Sequence, residues 1–462
     1  MRIVAILASA LLGGLLVVGL GAPGTTPAHA AGVQAPNIVI VVTDDQRVGT
    51  LKTMPIVRHE LRQPGASYVG VIPTSMCCPS RTALLSGNLS HHTGVYANVL
   101  KQGGGWPTFN ASGYESKTLA TALQAAGYRT GLVGKYLNEW NRAPDGFVPP
   151  GWDVFRALYV ATGQGASAYY NYELRGTEPT EVFGATAADY STDVEADRAV
   201  QFITQSPPDA PLFLMYTPTA PHSPYIPAPR YVNSWSPSAP YRNDAVNEAD
   251  MSDKPPFMRD LSPVSLREID HAQDKTGETL RAVDDGVGAL IDALGPRMSN
   301  TLFIFMSDNG VMWGEHRLEK KNRPYRWSTD VPMIMRWDGH LSDPPGQQLV
   351  SNVDVTQTVL DAAGIPHALN TEGMSVLRER RSETLLESEK SQAHPAYCGV
   401  RTVNWLYVKY SGRHGKELYD YRTDPLELNN VANLSQYAAK RAELHDLAKT
   451  LCTPTPPGFR WS

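Results

Sequence analysis

The side chains able to do chemistry fall in five short stretches. Cys77-Cys78-Pro79-Ser80-Arg81 sets a thiol two residues ahead of a proline and four ahead of a guanidinium, directly before Thr-Ala-Leu-Leu. Such a proline predicts a rigid turn into a helix with Pro79 or Ser80 near its first position. Cys77 would then stand ahead of the positive end of the helix dipole, where a thiolate or an oxyanion is favoured. The competing reading is an inert buried thiol before an ordinary helix. Asp44-Asp45 and Ser307-Asp308-Asn309 form the second and third stretches. They offer hard oxygen donors without sulfur or imidazole, a set that suits Ca2+ or Mg2+ better than zinc. For the acidic pair a solvated turn is the alternative. Lys135 follows the run YRTGLVG, and His222 sits in TAPHSP, whose prolines hold the segment extended. By residue type alone Lys135, His222 and the Lys320-Lys321 pair read as well as solvent-facing or structural side chains.

The elements that must position these residues show in the apolar pattern. NIVIVV, from Asn37 to Val42, and TLFIFM, from Thr301 to Met306, are the short continuous runs of strands buried on both faces. Open α/β sheets gather their ligands beyond the carboxyl ends of such strands, where both acidic stretches fall. Further strands are predicted over 128–133, 211–216 and 331–337, and helices over 116–127, 192–206 and 265–294, with a turn and helix over 350–364. Residues 155–188 and 224–263 carry little periodicity and read as rim loops. Two alternating runs, 399–410 and 417–431, suggest a hairpin, and 435–451 a final helix.

The chain has 462 residues and a net charge of −5 with interspersed signs, which gives no reason to expect nucleic-acid binding. Met1-Arg2, the apolar stretch Ile3 to Leu20 and Ala28-His29-Ala30 form the pattern of a cleaved secretory signal with Ala31 as mature start. An uncleaved anchor is the alternative. No other run is long enough to cross a membrane, so no stable membrane insertion is expected after cleavage.

The run C-C-P-S-R-x-x-L-L-S-G, Cys77 to Gly87, resembles the sulfatase signature C-x-P-S-R and, at its full length, the branch containing N-acetylglucosamine-6-sulfatase. GLVGKYLNEW, PPGWD at 149–153, APHSP and ELYDYRTDP extend the similarity over nearly the whole mature chain. The resemblance implies an α/β fold, an alkaline-phosphatase-like large mixed sheet flanked by helices with a smaller C-terminal α+β domain. It divides the chain into signal 1–30, catalytic domain 31–370 and C-terminal domain 371–462. It implies that Cys77 is oxidised to formylglycine (3-oxoalanine), whose hydrate attacks sulfur, and that Asp44, Asp45, Asp308, Asn309 and modified Cys77 hold calcium, with Mg2+ the other candidate. Arg81 would hold the nucleophilic hydroxyl, Lys135 and Lys321 would neutralise sulfate oxygens, and His222 or Lys321 would protonate the leaving alcohol. Lys321 is preferred to Lys320 because it stands four residues before Tyr325. Two departures are Leu137, where the commoner G-K-W-H pattern has histidine, and Tyr325-Arg326, where the family often has Tyr-Glu.

With Cys77 modified and Cys78 packed behind it, Cys398 and Cys452 remain as a candidate disulfide in an exported protein. The implied activity is hydrolysis of sulfate monoesters, on a sulfated saccharide such as N-acetylglucosamine 6-sulfate, after maturation by a formylglycine-generating enzyme. The alternatives are a phosphonate monoester or phosphodiester hydrolase of the same superfamily, and an unactivated sulfated-glycan-binding protein.

Overall fold

In the computed structural model Ile38, Ile40 and Val42 pack against one hydrophobic layer while Val39 and Val41 pack against another, so the NIVIVV strand is buried on both sides. The structure describes residues 35–160, 168–237, 239–344 and 346–462; the signal-like stretch 1–30 lies outside them. The large sheet has ten strands: β1 (Asn37–Thr43), β2 (Ala66–Val71), β3 (Arg129–Gly134), β4 (Val154–Tyr159), β5 (Glu173–Gly176), β6 (Glu181–Val182), β7 (Leu212–Thr217), β8 (Thr301–Ser307), β11 (Asp330–Arg336) and β12 (Leu349–Ser351). A two-residue pair, β9 (Met312–Trp313) and β10 (Glu319–Lys320), stands apart. The order is β12-β2-β11-β8-β1-β7-β3-β4-β5-β6, mixed at its flanks, with β8, β1, β7, β3 and β4 mutually parallel.

The helices are α1 (Cys77–Ser86), α2 (Ser90–Thr93), α3 (Gly105–Ala111), α4 (Leu119–Ala125), α5 (Ser191–Thr204), α6 (Leu266–Leu294), α7 (Arg326–Thr329), α8 (Asn352–Ala362) and α9 (Ala438–Leu451). Leu84 and Leu85 of α1, Leu119 and Leu123 of α4 and Val355 and Val359 of α8 join the Ile38 layer. Leu280, Val283, Val287, Leu290 and Leu294 of α6, at threes and fours, join Ala199 and Phe202 of α5 in the Val39 layer. Each large apolar side chain withdrawn from water in this way contributes about 1.5–3 kcal/mol. Every residue of α1 is buried, which sets it apart from the amphipathic α6.

The C-terminal part forms a four-stranded antiparallel sheet, β13 (Glu383–Ser388), β14 (Tyr397–Thr402), β15 (Trp405–Tyr410) and β16 (Lys416–Asp420) in that order, larger than the expected hairpin. The run 399–410 is two strands broken at Val403-Asn404, not one. Leu444 and Ala448 of α9 cover Val400 and Tyr407, and a disulfide joins Cys398 to Cys452 across 54 residues. The small sheet packs on β2 and β12 through Val71 and Leu349, and a buried polar knot ties it to the start of α7: the hydroxyls of Tyr325, Tyr410 and Tyr419 donate to Glu417 at 2.8, 2.7 and 2.6 Å.

Two further expectations are corrected. Part of 155–188 extends the sheet as β4, β5 and β6, because β5 and the edge strand β6 are short antiparallel strands whose pattern is too brief to register as periodicity. α1 begins at Cys77 after Met76, two residues before Pro79, which therefore lies inside the first turn, where its missing N–H costs nothing.

Candidate active site

The acidic stretches meet because their strands are neighbours. β1 and β8 pair in register from Asn37 opposite Thr301 to Thr43 opposite Ser307, so Asp44-Asp45 and Asp308-Asn309 leave the sheet side by side. Asp308 N–H donates to the Thr43 carbonyl at 3.0 Å, and Asp45 N–H donates to Asp308 Oδ1 at 3.1 Å. Asp45 has φ of +66°, a left-handed conformation disfavoured for residues other than glycine, and it turns the chain back over the strand tips. On the other side of β1, β7 and β3 end at the same sheet edge and deliver His222 and Lys135. The N-terminus of α1 brings Cys77.

Asp44, Asp45, Cys77, Arg81, Lys135, His222, Asp308, Asn309 and Lys321 come within one cluster. Cys77 Sγ lies 3.2 Å from Asp44 Oδ1 and 3.8 Å from Asp45 Oδ1, with Lys321 Nζ 2.6 Å away. Lys321 also pairs with Asp45, and Lys135 with Asp44. Arg81 Nε donates to Asp308 Oδ2 at 2.8 Å and its Nη1 to the Lys135 carbonyl at 2.8 Å. His222 Nε2 stands 3.5 Å from Asp45 Oδ2. Its Nδ1 meets the Ser223 carbonyl at 2.6 Å; a carbonyl only accepts, so Nδ1 carries a proton and Nε2 is the exchangeable position. The Tyr169 hydroxyl holds the His222 carbonyl at 2.6 Å. Lys320 by contrast is exposed.

Three carboxylates and three permanent cations, Lys135, Lys321 and Arg81, leave the centre formally neutral before any ligand enters. Burial pushes the Asp44 carboxyl up, but Lys135, His222, Lys321 and Arg81 outweigh it and hold it well below the usual range. Burial, with the charge of Asp44 beside it, pushes Asp308 up instead. Burial also pushes the Cys77 thiol up, and Asp44 adds to this against Lys135 and Lys321. The helix terminus therefore does not yield the thiolate that the sequence suggests: burial first, and the charge of Asp44 second, favour the proton on sulfur.

Two buried atoms reveal what the centre is shaped to take. Asn309 Oδ1 has no hydrogen-bond partner, while its Nδ2 donates to Asp45 at 2.6 Å; an amide oxygen left bare beside three carboxylates fits a hard cation. Arg81 Nη2 is likewise unpartnered, a donor fit for an oxyanion. Outside the cluster opens a cleft of about 940 Å³, lined by Asp45, His222, Tyr225, His271, Trp313 and Lys321 among others.

Nothing in the sequence singled out Tyr225, His271 or Arg47. Arg47 is locked by Glu315 at 2.7 Å and the Tyr241 hydroxyl at 2.8 Å, with its guanidinium 4.2 Å from the centre of the Trp313 ring. The one available signal was opposite charge in two strand-end loops, DDQR and GEHR, and charge alone does not specify pairing.

The sulfatase family model matches residues 36–365, and a model of the N-sulphoglucosamine sulphohydrolase C-terminal region matches residues 314–453. Human N-acetylglucosamine-6-sulfatase is 32% identical over 479 residues, covering 90% of this chain and 84% of that protein. An extracellular sulfatase SULF-1 homolog of Drosophila melanogaster is 32% identical over 363 residues, 76% of this chain. The chain spans only 32% of the fly protein's length, and 48% of that of a Caenorhabditis elegans relative. A solved structure of a protein in complex with its substrate D-glucosamine-2-N,6-O-disulfate superposes with a TM-score of 0.73 at 22% identity, covering 91% of this chain and 98% of that one, a likeness of fold.

Proposed function

The chain belongs to the sulfatase family, and from that premise we propose that it hydrolyses a sulfate monoester on an amino sugar of the N-acetylglucosamine 6-sulfate type, in an exported compartment. The observation that carries this reading is the seat of Cys77: one side chain at a buried helix start, ringed by Asp44, Asp45 and Lys321, of which Asp45 and Lys321 also line an open cleft. As a protonated thiol it is a poor nucleophile. Converted to formylglycine by a dedicated oxidising enzyme, it supplies as the hydrate one hydroxyl that attacks sulfur and a second whose deprotonation expels sulfate. Asp44, Asp45, Asp308 and Asn309 Oδ1 are the donors for Ca2+, which when held there supplies Lewis-acid polarisation of the sulfuryl group and acidifies the attacking hydroxyl.

The remaining steps fall to the chain's own residues. Lys135 and Lys321 neutralise the non-bridging sulfate oxygens, and the open Nη2 of Arg81 donates a further hydrogen bond. With a divalent charge added to a formally neutral centre the net charge is the opposite of the departing sulfate dianion, so binding strengthens as charge develops. His222, with Nδ1 fixed on a carbonyl, presents Nε2 at the cleft and, when protonated there, hands its proton to the leaving alcohol.

The disulfide and the signal-like leader support export. Among the described residues no helix is long and apolar enough to cross a membrane. We assign catalysis to residues 31–370, with 371–462 buttressing the Lys321–Tyr325 segment through Glu417. The test is release of inorganic sulfate from N-acetylglucosamine 6-sulfate by matured protein, alongside mass spectrometry of the Cys77 peptide. Conversion of the thiol to the aldehyde lowers its mass by about 18 Da. Sulfate release from protein whose Cys77 is wholly unconverted would refute the mechanism.

A further inference from the structure

Trp313 is a wall of two cavities. One is the cleft beside Asp45, His222 and Lys321; the other is a pocket of about 320 Å³ that the reaction does not use. This second pocket is bounded by Arg47, Lys52, Trp235, Tyr241 and Arg326 as well as Trp313, and no carboxylate lines it. The first cleft, by comparison, includes Asp45, Glu268 and Glu319 in its lining.

The pocket has the marks of a built site. Arg47 is 97% withdrawn from solvent, being 3% exposed, yet its Nη1 has no hydrogen-bond partner, while Nη2 is committed to Glu315 and Tyr241. Trp235 sits against Gly277 of α6 so closely that a Cβ there would come within 2.3 Å of the indole Cδ1. The helix is thus notched where the indole rests. The exposed Lys52 ammonium stands 5.8 Å from the centre of the Trp235 ring, and no described carboxylate pairs with it. Aromatic walls suit the C–H faces of a pyranose, and cations without carboxylates suit a ring bearing a negative charge.

We propose that this pocket is a second saccharide subsite, which takes an anionic pyranose joined to the sugar whose sulfate lies at Cys77. This deepens the proposed function and rests on it. The enzyme then reads two rings at once, and Lys52 and Trp235 set its preference for a chain over a single sugar without touching the reacting atoms.

The test compares steady-state kinetics of matured enzyme on N-acetylglucosamine 6-sulfate, on the same sugar linked to glucuronic acid, and on analogues in which glucose or sulfated glucose replaces the glucuronate. Wild type is expected to show the lower KM on both anionic disaccharides if charge alone is read, and on the glucuronide alone if the carboxylate is selected. Lys52→Gln should raise KM for the anionic disaccharides about tenfold, the worth of one charged hydrogen bond. It should leave the glucose disaccharide and the monosaccharide unchanged. Trp235→Ala should raise KM for every disaccharide and leave the monosaccharide unchanged. Equal effects on all four substrates, or none on the disaccharides, overturn the proposal. If no substrate yields sulfate, the hydrolytic reading fails by itself. Calorimetric titration of the unsulfated glucuronyl disaccharide into wild type and Lys52→Gln then still decides, with equal affinity or no binding counting against the pocket.

Discussion

Cys77 carries the sharpest residue-scale expectations. Cys77→Ser keeps the geometry and removes the thiol that conversion requires, so sulfate release should fall at least about a thousandfold while folding is retained; loss of one covalent nucleophile is of this order. Full activity in the serine variant would end the formylglycine reading. Asp308→Asn should lower the calcium retained after dialysis, measured by elemental analysis, because it removes one of the three carboxylates that would share the cation with the bare Asn309 oxygen. A third expectation lies away from the centre. His91 bridges Glu372 at 3.2 Å and Glu387 at 3.0 Å, and although burial pulls its pKa down, hydrogen bonds and the charges of both carboxylates raise it to about 10. A folded-state pKa above the unfolded value of about 6.5 means stability that is full below pH 6.5 and lost as pH rises towards 10. The difference in urea midpoint between wild type and His91→Gln should therefore shrink across that window. An unchanged difference from pH 6 to 10 would show that His91 is not protonated in the fold. At this scale the sequence was informative wherever a functional group followed a strand directly, as with Asp44, Asp308 and Lys135. It was silent on Arg47 and Glu315, whose pairing joins points 268 residues apart in sequence.

At the scale of elements the decisive fact is that β1, β3, β7 and β8 are parallel and end along one edge. The apolar runs disclosed the strands, and their unbroken apolar character in β1 and β8 disclosed burial on both faces. Their order could not be read, because no local pattern records which strand lies beside which. The short strands β5 and β6 stayed hidden for the related reason that too few residues repeat. Gly134 shows how closely two of the parallel strands are fitted. It has φ of +111°, and a Cβ there would come within 2.4 Å of the Thr217 carbonyl, the oxygen that also accepts the Lys135 N–H at 2.8 Å. Gly134→Ala should cost about 1–3 kcal/mol for the strained backbone and displace Lys135 from Asp44. A lowered unfolding midpoint together with a raised KM for the sulfate ester is the expected pair of results, and a lowered midpoint with unchanged KM would detach Lys135 from substrate binding.

For the whole molecule, the sheet class and the smaller C-terminal unit followed from composition and resemblance, while the joint between them did not, since three tyrosines converging on Glu417 leave no periodic trace. The Cys398–Cys452 bond closes a loop of 54 residues, for which chain entropy gives about 4 kcal/mol. Cys452→Ser should lose stability of that order in denaturant titration, against a negligible loss if the C-terminal sheet holds itself together. The complete burial of α1 has a consequence for when activity is decided. Cys77 is 0% exposed, so no second protein can reach its sulfur once the sheet and helices have closed around it. On the proposed mechanism the oxidation of Cys77 has to precede folding, and a chain that folds with its thiol intact is expected to stay inactive. The specific activity of a preparation would then record the share of chains oxidised before they closed.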